Sequence, residues 1–163
     1  MAAPGTGLTE GQLREGLRSC LSVQRWVDDV LARAPFASML ELMDVAAAAA
    51  TPLSPAEIDE ALAPHPRIGE RPAGDSTEHA LSRDEQSSSA SDDQALAQAL
   101  ADGNAAYEEK FGRVFLIRAA GRDRKTIVDE LRRRLELDPE TELHNVESEL
   151  RDIALMRIPR LFG

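Results

Sequence analysis

Four helix-start signatures, each followed by apolar residues three and four positions apart, constrain this chain more than anything else in it. Thr9 with Gln12, and Ser54-Pro55 with Glu57, have the form of capping boxes, in which a side-chain oxygen takes a first-turn backbone N–H. Asp123 precedes the stripe Ile127, Leu131 and Leu135, and Asp138-Pro139 precedes Leu143, Val146, Leu150 and Ile153. Such gaps gather side chains on one helix face. The pattern predicts an all-α, bundle-like single domain over 9–163, with residues 1–8 a flexible N-terminus. The 163 residues suffice for one core and are short for two. With only 4% aromatic residues, leucine, isoleucine, valine and alanine must do most of the packing.

Between those signatures the expectations are less uniform. Leu13, Leu17, Cys20, Leu21, Val27, Val30 and Leu31 recur at helical spacing from Thr9 up to Pro35, with Trp26 beside them in the core and Cys20 as a buried thiol. Phe36, Met39, Leu40, Met43 and the alanines of 46–50 predict a second helix, and a third runs from Pro55 to about Leu62. Gly69, Pro72, Gly74 and a serine-rich run break regular structure over 69–93, leaving a short helix over 82–89 that Ser82 caps with Glu85. A helix capped near Ser91 or Asp92 carries Leu96, Leu100, Asn104, Tyr107 and Phe111, and Gly112 ends it. A short irregular apolar connector lies near 113–121; its Val114-Phe115-Leu116-Ile117 is either one small strand or a link through the core. Arg122, Arg124, Lys125, Arg132, Arg133 and Arg134 form a face expected in solvent, and Pro159 is expected to end the last helix.

Charge and composition exclude several functions. A formal charge of -10 argues against nucleic acid, since phosphate contacts need a basic field. No stretch approaches the length of a membrane span, and no basic segment leads into an apolar run, so a cytoplasmic protein is expected. The single cysteine excludes an internal disulfide and a thiolate-rich metal site, and His65, His79 and His144 lack metal-ligand spacing. No glycine-rich phosphate cradle and no nucleophile elbow occurs.

What remains is a cofactor-free set of polar groups. Prolines on both sides deny His65 a place in a regular helix. A histidine and a carboxylate, here Glu85 with Gln86 beside it, can make an acid/base pair. Arg157 continues the stripe of Val146, Leu150 and Ile153, and a guanidinium on an inward face must meet an anion or carbonyls. Backbone groups over 117–121 are expected to present free donors to a small polar ring. The set suits decarboxylation of a substrate with its own electron sink, where the protein orients a carboxylate, excludes water and manages one proton. A turn for His65, a cap for Glu85 and a helix-end arginine remain the structural alternatives.

His65-Pro66, Ser82 with Glu85-Gln86, Asn104-x-x-Tyr107-x-x-Lys110-Phe111-Gly112 leading into Phe115-x-Ile117, and the last helix with Arg157 stand in an order that resembles one family. It is the 2-oxo-4-hydroxy-4-carboxy-5-ureidoimidazoline (OHCU) decarboxylases of urate degradation. The resemblance covers the chain from about residue 9 onward. It implies an all-helical fold, no cofactor, no metal, a small-molecule ureidoimidazoline carboxylate as substrate, and a homodimer. It implies that His65 is the catalytic acid/base with Glu85 orienting it. It further implies that Pro66, Ser82, Arg83, Asp84, Glu85, Gln86, Ile117, Arg118, Ala119, Ala120, Gly121 and Arg157 bind substrate. The chain departs from the pattern at Arg67, where many members are acidic, and in its Met156-Arg157-Ile158-Pro159 ending. These departures keep a related ureido substrate open. A non-enzymatic helical adaptor and an amidohydrolase of a neighbouring ureido compound are the alternatives.

Overall fold

The computed structural model describes residues 7–69, 77–87 and 93–163. Among them are eight α-helices and no strand. The expectations for residues 1–6, for the turn formers Pro72 and Gly74, and for a cap at Ser91 or Asp92 lie outside the described residues. By contacts the chain divides into two compact units, Met1–Ala61 with Leu150–Gly163, and Leu62–Glu149.

The first unit holds α1 (Glu10–Cys20), α2 (Gln24–Leu31), α3 (Met39–Ala49), nearly all of α4 (Pro55–Leu62) and the C-terminal part of α8 (Pro139–Phe162). Thr9 caps α1 as expected: its Oγ1 accepts from the Gln12 N–H at 3.1 Å, and Gln12 Oε1 accepts from the Thr9 N–H at 2.9 Å. The long first helix is in fact two. Leu21 and Val23 take extended backbone, with φ/ψ of -150°/111° and -127°/114°. In a helix, residues two apart point nearly opposite ways, whereas in extended chain they share a side. Leaving the helix lets both Leu21 and Val23 be buried.

In α3 the apolar stripe also differs from expectation. Ser38 caps the helix by accepting from the Glu41 N–H at 3.1 Å. That phase buries Leu42, Ala46 and Ala50 and leaves Leu40 71% exposed. Alanine at 46 lets the indole of Trp26 approach, and Trp26 Nε1–H donates to the Ala46 carbonyl at 2.9 Å, which satisfies the polar edge of a fully buried ring. Cys20 is buried too. The Ser54–Glu57 box on α4 forms in both directions, at 2.9 and 3.1 Å. Pro159 does not end α8, which runs on to Phe162. A proline this near the end forfeits one N–H and its φ is already helical. Phe162 lies over Gly16, where a Cβ would come within 2.6 Å of the ring, and so anchors the last turn.

The second unit is built on α5 (Thr77–Gln86), α6 (Gln94–Phe111), α7 (Arg124–Leu135) and the first part of α8. Its core joins Leu100, Tyr107, Phe115, Ile117, Ile127 and Leu131. Asp93 caps α6 through the Leu96 N–H, Asp123 caps α7 through the Thr126 N–H, and Asp138 caps α8 through the Thr141 N–H. Gly112 ends α6 in the left-handed region, φ 72°. Beyond it the apolar segment forms no strand; it is the connector, burying Phe115, Leu116 and Ile117.

Two charges are misplaced by the periodic reading. Arg134 belongs to the core, 0% exposed, and Glu142 rather than Leu143 is the fully buried residue at the start of α8. Arg134 Nε donates to both Glu142 oxygens at 2.7 and 2.9 Å, its Nη1 donates to the Leu116 carbonyl at 2.7 Å, and its guanidinium lies 4.8 Å from the Phe115 ring centre. The Tyr107 hydroxyl donates to Glu142, and burial, reinforced by that bond, holds the phenol well above its ordinary pKa. The arginine is solvent-free because it lies three residues after Leu131 and seven after Ile127, on the inward stripe of α7.

Removing one partner of a buried ion pair strands the other charge, which costs about 3–5 kcal/mol. Arg134→Met should therefore lose stability in that range, and Arg134→Met with Glu142→Leu should recover part of it. Urea midpoints of the two variants decide this, and a double variant no more stable than the single would show that the charge pairing is not what stabilises this core.

Candidate functional site

His65 sits where α4 stops. Its N–H returns to the Leu62 carbonyl at 2.9 Å, and the residue is half-buried. The residues after Pro66 are each tied to a helix. Arg67 Nε donates to both Glu108 oxygens at 2.9 and 3.0 Å, which accounts for a basic residue following His-Pro in this chain. The Ile68 carbonyl accepts from Asn104 Nδ2 at 3.0 Å. The Gly69 N–H donates to Gln86 Oε1 at 3.3 Å. Gly69 has φ 94°, and a Cβ there would lie 2.9 Å from Leu100 Cδ2, so both backbone and space call for glycine. α6 and α5 thus fix the turn that carries His65.

α5 corrects the reading of Ser82. The helix begins at Thr77, not at Ser82, so Ser82 and Glu85 are interior positions and not a capping box. Spaced three apart, they share a face with Leu81, and all three are buried. A carboxyl group and a hydroxyl buried together on a helix are poorly explained by helix formation, since serine and buried charge both oppose it. Arg83 and Gln86 are half-buried, and Asp84 is exposed, its carbonyl accepting from Ser87 Oγ at 2.6 Å. Gln86 therefore serves the His65 turn directly.

Over 117–121 the connector is anchored rather than open. Ile117 and Ala119 are buried, Arg118 and Ala120 half-buried, and Gly121 exposed with φ 77°. The expectation of free backbone donors fails at Arg118, whose N–H donates to Glu149 Oε2 at 2.9 Å. The Ala119 carbonyl accepts from the Arg122 N–H at 3.1 Å. Arg118 Nε is buried and has no hydrogen-bond partner.

Arg157 belongs to the first unit. It is 1% exposed, and Nη1 donates to the Ser19 carbonyl at 3.0 Å, in the last turn of α1. It therefore does not snorkel to solvent. His79 is half-buried on α5, while His144 is exposed, 3.9 Å from Glu147.

Glu108, Arg134 and Glu149, which hold the turn and the connector, were not singled out from sequence. For Glu149 a signal existed: it lies three residues after Val146 and seven after Glu142, on the inward side of α8.

A proline-flanked histidine turn, a helix that buries serine and glutamate, and an anchored connector are set, among the described residues, in an all-helical protein. Comparison with known proteins supplies the family. The OHCU decarboxylase family model matches residues 6–159, and the chain belongs to that family. The chain is similar to the 2-oxo-4-hydroxy-4-carboxy-5-ureidoimidazoline decarboxylase of Mus musculus, 36% identical over 104 residues, or 61% of this chain and 57% of that protein. It is also similar to the uric acid degradation bifunctional protein TTL of Arabidopsis thaliana, 35% identical over 108 residues, or 64% of this chain and 33% of that protein. The chain thus spans little more than half of one curated relative and a third of the other. Among solved structures, a crystal structure of OHCU decarboxylase in the presence of (S)-allantoin superposes with a TM-score of 0.77 at 25% identity, covering 91% of this chain and 97% of that one. A crystal structure of (S)-allantoin synthase shares the fold, with a TM-score of 0.67 at 17% identity, covering 94% of this chain and 51% of that one.

The anchoring of the His65 turn is testable without any activity. Gly69→Ala forces a side chain into positive φ against Leu100, and should cost about 1–3 kcal/mol by urea unfolding. An unchanged midpoint would mean that the turn is not held in the conformation described.

Proposed function

We propose that this protein decarboxylates OHCU to (S)-allantoin and carbon dioxide in urate breakdown. The observation that carries this is the family match over residues 6–159, a span that includes His65, Ser82, Glu85 and Gln86. That match, over 6–159, also supports the proposal that 9–163 is one functional domain. The reaction breaks the bond to the carboxylate carbon, and the electron pair left behind is taken up by the adjoining carbon–nitrogen double bond. One proton must then be delivered. His65 is the proposed acid/base, because its turn is pinned by Arg67, Ile68 and Gly69 and imidazole titrates near neutral pH. Buried Glu85 is proposed to orient it and hold its charge. Gln86, besides holding Gly69, is proposed to meet a polar edge of the ring, and Ser82, Pro66 and the connector residues 117–121 to line it. Arg83 and Asp84 flank that face.

Arg157 is proposed, from the resemblance, to engage a carboxylate or ring oxygen of the substrate. A homodimer and independence of metal and cofactor are proposed from the same resemblance, and a cytoplasmic setting is proposed from the sequence, in which no stretch reaches the length of a membrane span.

Freshly generated OHCU, followed by circular dichroism, tests the assignment: enzyme should give one enantiomer of allantoin, while racemic product at the uncatalysed rate would exclude it. Chelators should leave the rate unchanged. His65→Asn should lower kcat by roughly 10²–10⁴-fold, and near-normal turnover would reduce His65 to architecture. Arg157→Lys keeps the charge but not the planar fork, so it should remain folded and lose much of kcat/KM. Wild-type efficiency in both Arg157→Lys and Arg157→Met would remove Arg157 from the site.

A further inference from the structure

The two peptide groups that bracket Ile117 are each held by a side chain. The Leu116 carbonyl accepts from Arg134 Nη1 at 2.7 Å, and the Arg118 N–H donates to Glu149 Oε2 at 2.9 Å. Peptide groups are planar, so fixing both planes fixes the only two soft torsions at the residue between them. Arg134 is itself immobile, locked by Glu142 on one side and Phe115 on the other. Glu149 is the second anchor, its side chain 15% exposed. Its other charged neighbour, Arg122 Nη1, is 4.0 Å away at the surface, a separation that contributes little. Among the described residues no strand runs beside the connector.

We infer that Glu149 is a positioning residue for turnover: by accepting the Arg118 N–H it sets the conformation of Ile117 and Arg118, and so the placement of substrate against the connector. The inference rests on the decarboxylase reading and on the connector's part in binding. Glu149 acts as a hydrogen-bond acceptor, and its charge is incidental. Displacing binding elements by about 1 Å costs on the order of 10²-fold in rate, because the reacting groups lose alignment.

Three substitutions separate the roles. Glu149→Gln keeps an acceptor oxygen at the same reach and loses the charge. Glu149→Asp keeps the charge and withdraws the oxygen by one methylene. Glu149→Met removes both. In folded protein, Glu149→Gln should stay within about threefold of wild-type kcat/KM, while the Asp and Met variants should each fall roughly 10–100-fold. Exchange of the Arg118 amide with deuterium, which needs no substrate and is read equally well if Glu149→Met proves too unstable to assay, should be slow in wild type and Glu149→Gln and at least about tenfold faster in Glu149→Asp. A merely structural Glu149 would lower the Tm of the Asp and Met variants and leave their kcat/KM unchanged, which would overturn the inference. Equal losses in all three variants would overturn it as well, since charge would then be the active property. Absence of OHCU turnover in wild type would instead remove the decarboxylase reading on which the inference stands.

Discussion

Buried backbone has to be hydrogen-bonded, and in an all-helical unit that requirement falls on side chains wherever the chain is not helical. The second unit meets it with long polar residues reaching out of helices. Arg134 takes the Leu116 carbonyl, Glu149 the Arg118 N–H, Asn104 the Ile68 carbonyl and Gln86 the Gly69 N–H. Lys110 does the same for the carbonyls of Leu135 and Leu137, where α7 runs out. These contacts replace the ladder that a neighbouring strand would give. They also explain why a core poor in aromatic residues tolerates a guanidinium: Arg134 has Glu142 for its charge, a carbonyl for Nη1 and Phe115 for its face.

The same economy shapes the candidate site. The His65 turn and the 117–121 segment are both irregular backbone, and both are held by side chains that reach out from helices. Irregular backbone is thereby made stiff without being made helical. α5 contributes in the opposite manner. Its buried Ser82 and Glu85 share one helix face, and its Gln86 reaches over to the turn.

Legibility in the sequence followed from the physics of each element. Helices announced by a cap and a stripe, such as α1, α4, α7 and α8, begin where expected, because cap and stripe are local. The break at Leu21 and Val23 was hidden, since helical spacing was kept on both sides of it. α5 was started late because Ser82-x-x-Glu85 imitates a cap; only burial distinguishes an interior serine–glutamate pair from a terminal one. Arg134 was assigned to solvent by its residue type, although its position on the stripe already said otherwise. The candidate residues themselves were found through order and spacing along the chain. The residues that hold them, Glu108 and Glu149, bond across 41 and 31 positions; the stripe on α8 marks Glu149 as inward, but nothing local names either partner.

The Arg67–Glu108 pair carries an implication about how this turn can vary among related chains. Its work is mechanical, joining the residue after His-Pro to α6, and that work is indifferent to which side bears the positive charge. An acidic residue at 67 opposite a basic one at 108 would tether the turn equally well. Reversing both charges together should therefore leave the turn tethered, whereas reversing either one alone would set two like charges against each other.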